Sequence, residues 1–272
     1  MDTTKLGLFE AISFVLIVIT NKIILNLPKN IIVECGSSAW INVIFISIIA
    51  IFFTMIIVKL FKNFEGYDIL DISNYFAGNF FKTLIGIGYL VVFILTATIV
   101  LRDFSETLKI IYYSNSPLTF IMLFFIIGTI LGNKFGLKAI AKANLFIMPV
   151  VVFSIFIICI SSFKNFEFQR LLPILGNGVD VTFISGFTNI FSYSGLAYLF
   201  FIMPYLKNTK QFKKISMICI VISTIYLLLS VLCLTLVFSY IAVTDESNSI
   251  YLLTRTLEFG SKELMQYLYF YL

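Results

Sequence analysis

The sequence predicts an all-α polytopic membrane protein, on three observations. Of its 272 residues 60% are hydrophobic and only 12% are charged, against roughly 25% charged in an ordinary soluble domain. Charge-free apolar runs recur along the chain, each long enough at ~1.5 Å per residue to cross a hydrocarbon core of ~30 Å. The runs are continuous, unlike the short alternating segments of an outer-membrane barrel. With 31 Phe and 14 Tyr, the chain is also far too aromatic for a disordered one.

The first run begins near Leu8. Trp40–Val58, Thr83–Leu101, Ile110–Asn133, Ala143–Phe163, Val181–Leu206 and Ile215–Thr244 follow without a charged residue, which makes seven spans. The last run is thirty residues, so it must tilt, kink or project beyond the bilayer. The tail Asp245–Leu272 mixes Arg255, Glu258, Lys262 and Glu263 with apolar residues and reads as the start of an eighth span. A single integral membrane domain is expected over residues 1–272. Loop lysines orient it: a cytoplasmic N-terminus places eleven of the nineteen Lys and Arg inside, chiefly in Lys134–Lys142 and Lys207–Lys214.

Several chemistries are excluded at this stage. The absence of histidine removes imidazole acid–base catalysis and imidazole metal ligands. No nucleophile–base pair, metal cluster or phosphate loop can be assembled, so neither an enzyme nor a bound cofactor or metal is expected. Cys35, Cys159, Cys219 and Cys233 lack metal-site spacing and read as small buried hydrophobes. The net charge of +5 is explained by loop lysines and does not point to nucleic acid.

Two spans are overlong and carry polar clusters halfway. The first run, Leu8–Val33, is interrupted at Thr20-Asn21-Lys22; the sixth, Val179–Tyr205, at Ser192-Tyr193-Ser194-Gly195; Pro28 and Pro204 follow in their second halves. Backbone groups freed by such breaks are tolerated in a membrane only where they line a cavity or meet protein partners. Matching interruptions in two halves point to a transporter built from inverted repeats, with a solute site at mid-depth. Lys22 adds to the case, since an ionisable residue at that depth is costly. The plainer alternatives are hydrogen-bonding residues within intact helices, and a first helix ending near Ile19 with Lys22 snorkelling outward. Tyr89 and Thr96, seven apart, share a helix face that could line the same cavity.

A second polar group, Arg102-Asp103-Phe104-Ser105-Glu106-Thr107-Leu108-Lys109, follows the third span. Arg102 with Glu106, and Glu106 with Lys109, have the spacing to pair on a helix face. The group reads as an outer gate or coupling site, or as a solvated interfacial ion-pair face. Gly128, Gly132 and Gly136 read as helix-packing positions.

Taken in order, Leu25-Asn26-Leu27-Pro28, Ser38-Ala39-Trp40-Ile41, Leu101-Arg102-Asp103-Phe104-Ser105-Glu106, Leu171-Leu172-Pro173-Ile174-Leu175-Gly176-Asn177-Gly178, Ser194-Gly195 and Met203-Pro204 resemble the spore germination permeases. These are the B-type membrane subunits of nutrient germinant receptors, a branch of the amino-acid/polyamine/organocation transporter superfamily. The resemblance implies two inverted five-helix repeats with helices one and six broken around the solute. The first repeat would cover about 8–163, and a second, incomplete one about 179–272. It implies a small nutrient ligand, typically an amino acid, whose binding triggers germination. It also implies an A-type membrane subunit and a C-type lipoprotein as partners in the inner membrane of the spore. Where many members carry Gly-Thr at the first break this chain has Asn21-Lys22, and where many carry an acidic residue after the helix-six glycine it has Leu196-Ala197. Two other readings stay open: a secondary amino-acid or polyamine transporter of vegetative cells, and a truncated, non-transporting membrane protein.

Overall fold

In a lipid environment every backbone polar group must find its partner inside the segment, and the chain meets this demand with helices. The computed structural model describes residues 5–206 and 209–245, together with Leu253. Regular structure among them is entirely helical: α1 Leu8–Leu25, α2 Leu27–Cys35, α3 Ala39–Phe61, α4 Ile69–Ile111, α5 Leu118–Lys134, α6 Gly136–Ser162, α7 Val179–Phe183, a 3₁₀ segment Ser185–Tyr198, α8 Leu199–Ile202, α9 Thr209–Val237 and α10 Tyr240–Asp245. Among the described residues six stretches are long and apolar enough to cross a membrane: Leu8–Leu25, Leu27–Phe61, Ile69–Ile111, Gly136–Asn165, Val179–Tyr205 and Lys210–Val237. The protein is a multi-pass membrane protein.

The fourth expected span is shorter than its apolar run. The charged block through Lys109 continues the helix of α4 to Ile111, and α5 starts only after Pro117, leaving it 17 residues. The thirty-residue run is likewise divided, α9 ending at Val237 and α10 starting at Tyr240. Most of the expected eighth span lies outside the described residues.

The first helix corrects an expectation. Thr20, Asn21 and Lys22 are helical, and the break falls at Asn26 (φ −126°, ψ −4°). The cause is Pro28. It offers no N–H to the carbonyl of Ile24, and its ring crowds that carbonyl, so the helix cannot run through it. In the first turn of α2 the missing N–H costs nothing. The sixth span differs too. It has no point break at Ser192–Gly195 but a 14-residue 3₁₀ segment between two short α-helices. Such runs seldom exceed 3–4 residues, so this one marks a special stretch.

The core is formed by α1, α3, α6, α9 and the 3₁₀ segment, with α1 against α6 and α9 and α3 against α9. Lipid tails are as apolar as leucine, so close approach of small side chains holds such helices together. On α9, Ser216, Ser223 and Ser230 form a fully buried stripe seven residues apart. Each returns its hydroxyl proton to the carbonyl four residues back, at 2.7–2.9 Å, which satisfies the group without a cross-helix partner. Gly128, Gly132 and Gly136, expected to pack, have open space around them. Cys159 and Cys233 correct the reading of the cysteines as buried hydrophobes. They join as a disulfide between α6 and α9, Cα atoms 5.9 Å apart, while Cys35 and Cys219 are free and buried. Their separation of 74 residues gives no local sequence signal.

At one end of the bundle the loop after α6 docks on the corner between α2 and α3. Ser37 Oγ donates to Pro173 O at 2.5 Å, and Asn177 Nδ2 to Glu34 O at 3.0 Å. Gly176 sits where a Cβ would lie 2.3 Å from Cys35 O, so no larger residue fits this contact. On the same loop Arg170 donates to Leu236 O and Val237 O and pairs with Glu167 at 2.8 Å, capping the last carbonyls of α9.

Candidate functional site

The break at Asn26 and the 3₁₀ segment face each other, and α4 stands across from both. Lys22, one turn before the break, donates from Nζ to Ser194 Oγ at 2.6 Å across 172 residues of sequence. Gly195 permits the approach, since a Cβ there would lie 2.5 Å from Ile19 Cγ1.

Two cavities meet at this hydrogen bond. The first, about 260 Å³, is lined by Lys22, Asn26, Asn30, Asp103, Asn189, Ser192 and their neighbours. The second, about 320 Å³, is almost wholly apolar and is lined by Phe53, Phe93, Tyr198 and Phe200 among others. Lys22, Thr96 and Phe191 line both and so form the partition between a polar and an apolar chamber. Between Asn74 and Phe104 no residue of α4 is buried. Over that stretch α4 stands off from the bundle and supplies an outer wall of both chambers.

Each predicted site residue can now be placed. Thr20 is fully buried and turns its hydroxyl back to Leu16 O at 3.0 Å, and Asn21 lines neither chamber. Ser192 lines the polar chamber; it is 2% exposed, and its hydroxyl has no hydrogen-bond partner among the described residues. The ring of Tyr193 borders the apolar chamber, but its hydroxyl is held by Thr224 at 2.8 Å and by Ser47. Tyr89 lies outside both chambers, edge-on to Phe201 at 4.9 Å between centroids, beside the stacked pair Phe93–Tyr198 at 4.7 Å. These rings tie α4 to the 3₁₀ segment and α8.

The charged block divides in two. Arg102 and Glu106 form an ion pair at 2.8 Å with Arg102 68% exposed, the interfacial arrangement. Glu106 is thereby engaged one turn back, and among the described residues no ion pair includes Lys109, so the expected Glu106–Lys109 pairing is not made. Asp103, about 100° further round the helix from Arg102, leaves that face. It lines the polar chamber and accepts a hydrogen bond from the side chain of Asn26. Asn26, Asn30, Thr188 and Asn189 also line this chamber and were not singled out in the sequence. The signal for the first was the Asn26-Leu27-Pro28 triplet; the others look like ordinary helix-end residues.

This site lies in a chain whose residues 5–264 match the family model described as spore germination protein. The chain belongs to this family. Three spore germination proteins of Bacillus subtilis (strain 168) are among its relatives. It is 23% identical to spore germination protein B2 over 217 residues, covering 78% of this chain and 59% of that one. It is 25% identical to spore germination protein A2, covering 76% and 57%, and 26% identical to spore germination protein KB, covering 72% and 54%. It thus spans a little over half the length of these curated relatives. No solved structure matches. As a spore germination protein the chain carries a two-chamber cleft at the depth of its first helix break, with Lys22 at the join.

Proposed function

We propose that this protein is the permease-like membrane subunit of a germinant receptor. It holds a small nutrient, an amino acid, in the cleft between α1–α2, α4 and the 3₁₀ segment, and binding there helps trigger germination. The observation that carries this reading is the Lys22–Ser194 hydrogen bond at 2.6 Å. It joins the first and sixth spans, and an ammonium set within an apolar run is by default a functional candidate. In this reading the spans form one five-helix repeat over about 8–163 and part of an inverted second repeat over about 179–272. The N-terminus is cytoplasmic, the membrane is the inner membrane of the spore, and the partners are an A-type membrane subunit and a C-type lipoprotein.

The test is germination. Spores carrying Lys22→Ala or Ser194→Leu in the full natural protein should lose their response to one specific nutrient while responding normally to others. An unchanged response to every nutrient, with the variant proteins present in the membrane, counts against the site.

A further inference from the structure

We infer that the ligand is an amino acid with a large aliphatic or aromatic side chain, its two opposite charges held by Lys22 and Asp103. This rests on the nutrient-binding reading above. Among the described residues the ion pairs are Lys82–Asp71, Arg102–Glu106 and Arg170–Glu167; neither Lys22 nor Asp103 takes part in one. Lys22 has a neutral hydroxyl as its hydrogen-bond partner and Asp103 a neutral amide, with the charge of Arg102 nearby but paired to Glu106 instead, and both line the same chamber of about 260 Å³. A charge that loses water when a ligand fills the chamber must be answered by that ligand. A lone anion or cation would answer one and leave the other, and a sugar would answer neither. A zwitterion answers both. The buried, unpartnered hydroxyl of Ser192 on the same chamber is a further group left for a ligand, well suited to a carboxylate.

The side chain follows from the second chamber. It adjoins the first at Lys22, Thr96 and Phe191, holds about 320 Å³, and presents aromatic rings with no acidic residue among those lining it. Each methylene buried there adds roughly fourfold to affinity. Glycine would leave the chamber unused, and a cationic side chain would be stripped of water with no acid to meet it.

The experiment is equilibrium binding of labelled L-leucine to the full natural protein in lipid nanodiscs. Competitors are L-phenylalanine, glycine, L-leucinamide (no carboxylate), 4-methylpentanoate (no ammonium) and D-glucose. Phenylalanine should compete, and glycine should be weaker by on the order of a hundredfold. Leucinamide and 4-methylpentanoate should each be at least about tenfold weaker than leucine. Lys22→Gln should erase the preference for leucine over leucinamide, and Asp103→Asn the preference for leucine over 4-methylpentanoate. Each variant keeps the other preference, which shows that it is folded. Absence of leucine binding, glycine competing as well as leucine, or preferences untouched by both variants overturns the inference. The germination response of Lys22→Ala spores decides the underlying reading separately. If that response is lost while leucine does not bind, the site stands and the ligand class falls.

Discussion

Asn189, in the 3₁₀ segment, donates from Nδ2 to Oδ1 of Asn42 on α3 at 3.1 Å. Asn42, fully buried, uses its own Nδ2 to reach Thr182 O at 2.8 Å and Gly186 O at 2.9 Å. One side chain therefore satisfies two backbone carbonyls that a regular α-helix would have paired internally. It is part of what lets this stretch remain 3₁₀ inside an apolar environment.

Asn42→Leu should accordingly be costly. Both carbonyls would lose the Asn42 amide in a buried setting, at roughly 1–3 kcal/mol for each group left unsatisfied, and Asn189 would keep only its long contact with Cys35 Sγ at 4.0 Å. Thermal unfolding in detergent should show a markedly lower midpoint than for the control Ser216→Ala, whose hydroxyl donates to Phe212 O within its own helix at 2.9 Å.

Gly195→Ala should push the 3₁₀ segment away from α1, because its methyl would meet Ile19 Cγ1 at 2.5 Å. Overpacking of this kind costs about 1–3 kcal/mol. Pairing it with Ile19→Ala should recover part of that loss, so the two changes together cost less than their sum. Strict additivity in a detergent stability assay would show that the contact is not what fixes glycine here.

Arg170→Gln should loosen the end of α9. The guanidinium caps the carbonyls of Leu236 and Val237 and is itself held by Glu167. Charge-assisted hydrogen bonds of this type contribute about 1.5–3 kcal/mol. Hydrogen exchange should speed up at the last turn of α9 and remain unchanged in α1. Equal protection in wild type and variant would assign the capping elsewhere.

Arg102→Gln and Glu106→Gln should each leave the thermal midpoint close to wild type, since their pair is exposed and solvent screens it. Germination by spores with either change should match wild type. A loss as large as that of Lys22→Ala would return this pair to the role of a gate.

The sequence made the membrane spans legible because charge-free runs of this length have no other use. Lys22 and Ser194 stand out as polar residues halfway along apolar runs, and the two meet in one hydrogen bond. Polar content suggests a break at Thr20–Lys22, but polar side chains alone do not interrupt the helix. The decisive group is the N–H that Pro28 lacks, so the helix survives through Lys22 and gives way at Asn26. Adjacency in sequence puts Asp103 with Arg102, whereas consecutive helical residues point about 100° apart. The Cys159–Cys233 bond depends on how α6 packs on α9, and no one-dimensional spacing encodes that.

The loop that docks on the α2–α3 corner sets how the cleft can yield. Hydrogen bonds from Ser37, Asn177 and Asn42 bind the α2–α3 region to the loop and the sixth span at several points. Along the chambers α4 is held more lightly, by the Asn26–Asp103 contact toward one end and by ring contacts of Tyr89 and Phe93 toward the other. The cleft therefore has one stiff jaw and one compliant jaw. A solute entering the cleft thus meets few polar fastenings on the α4 side and many on the side of α2 and α3.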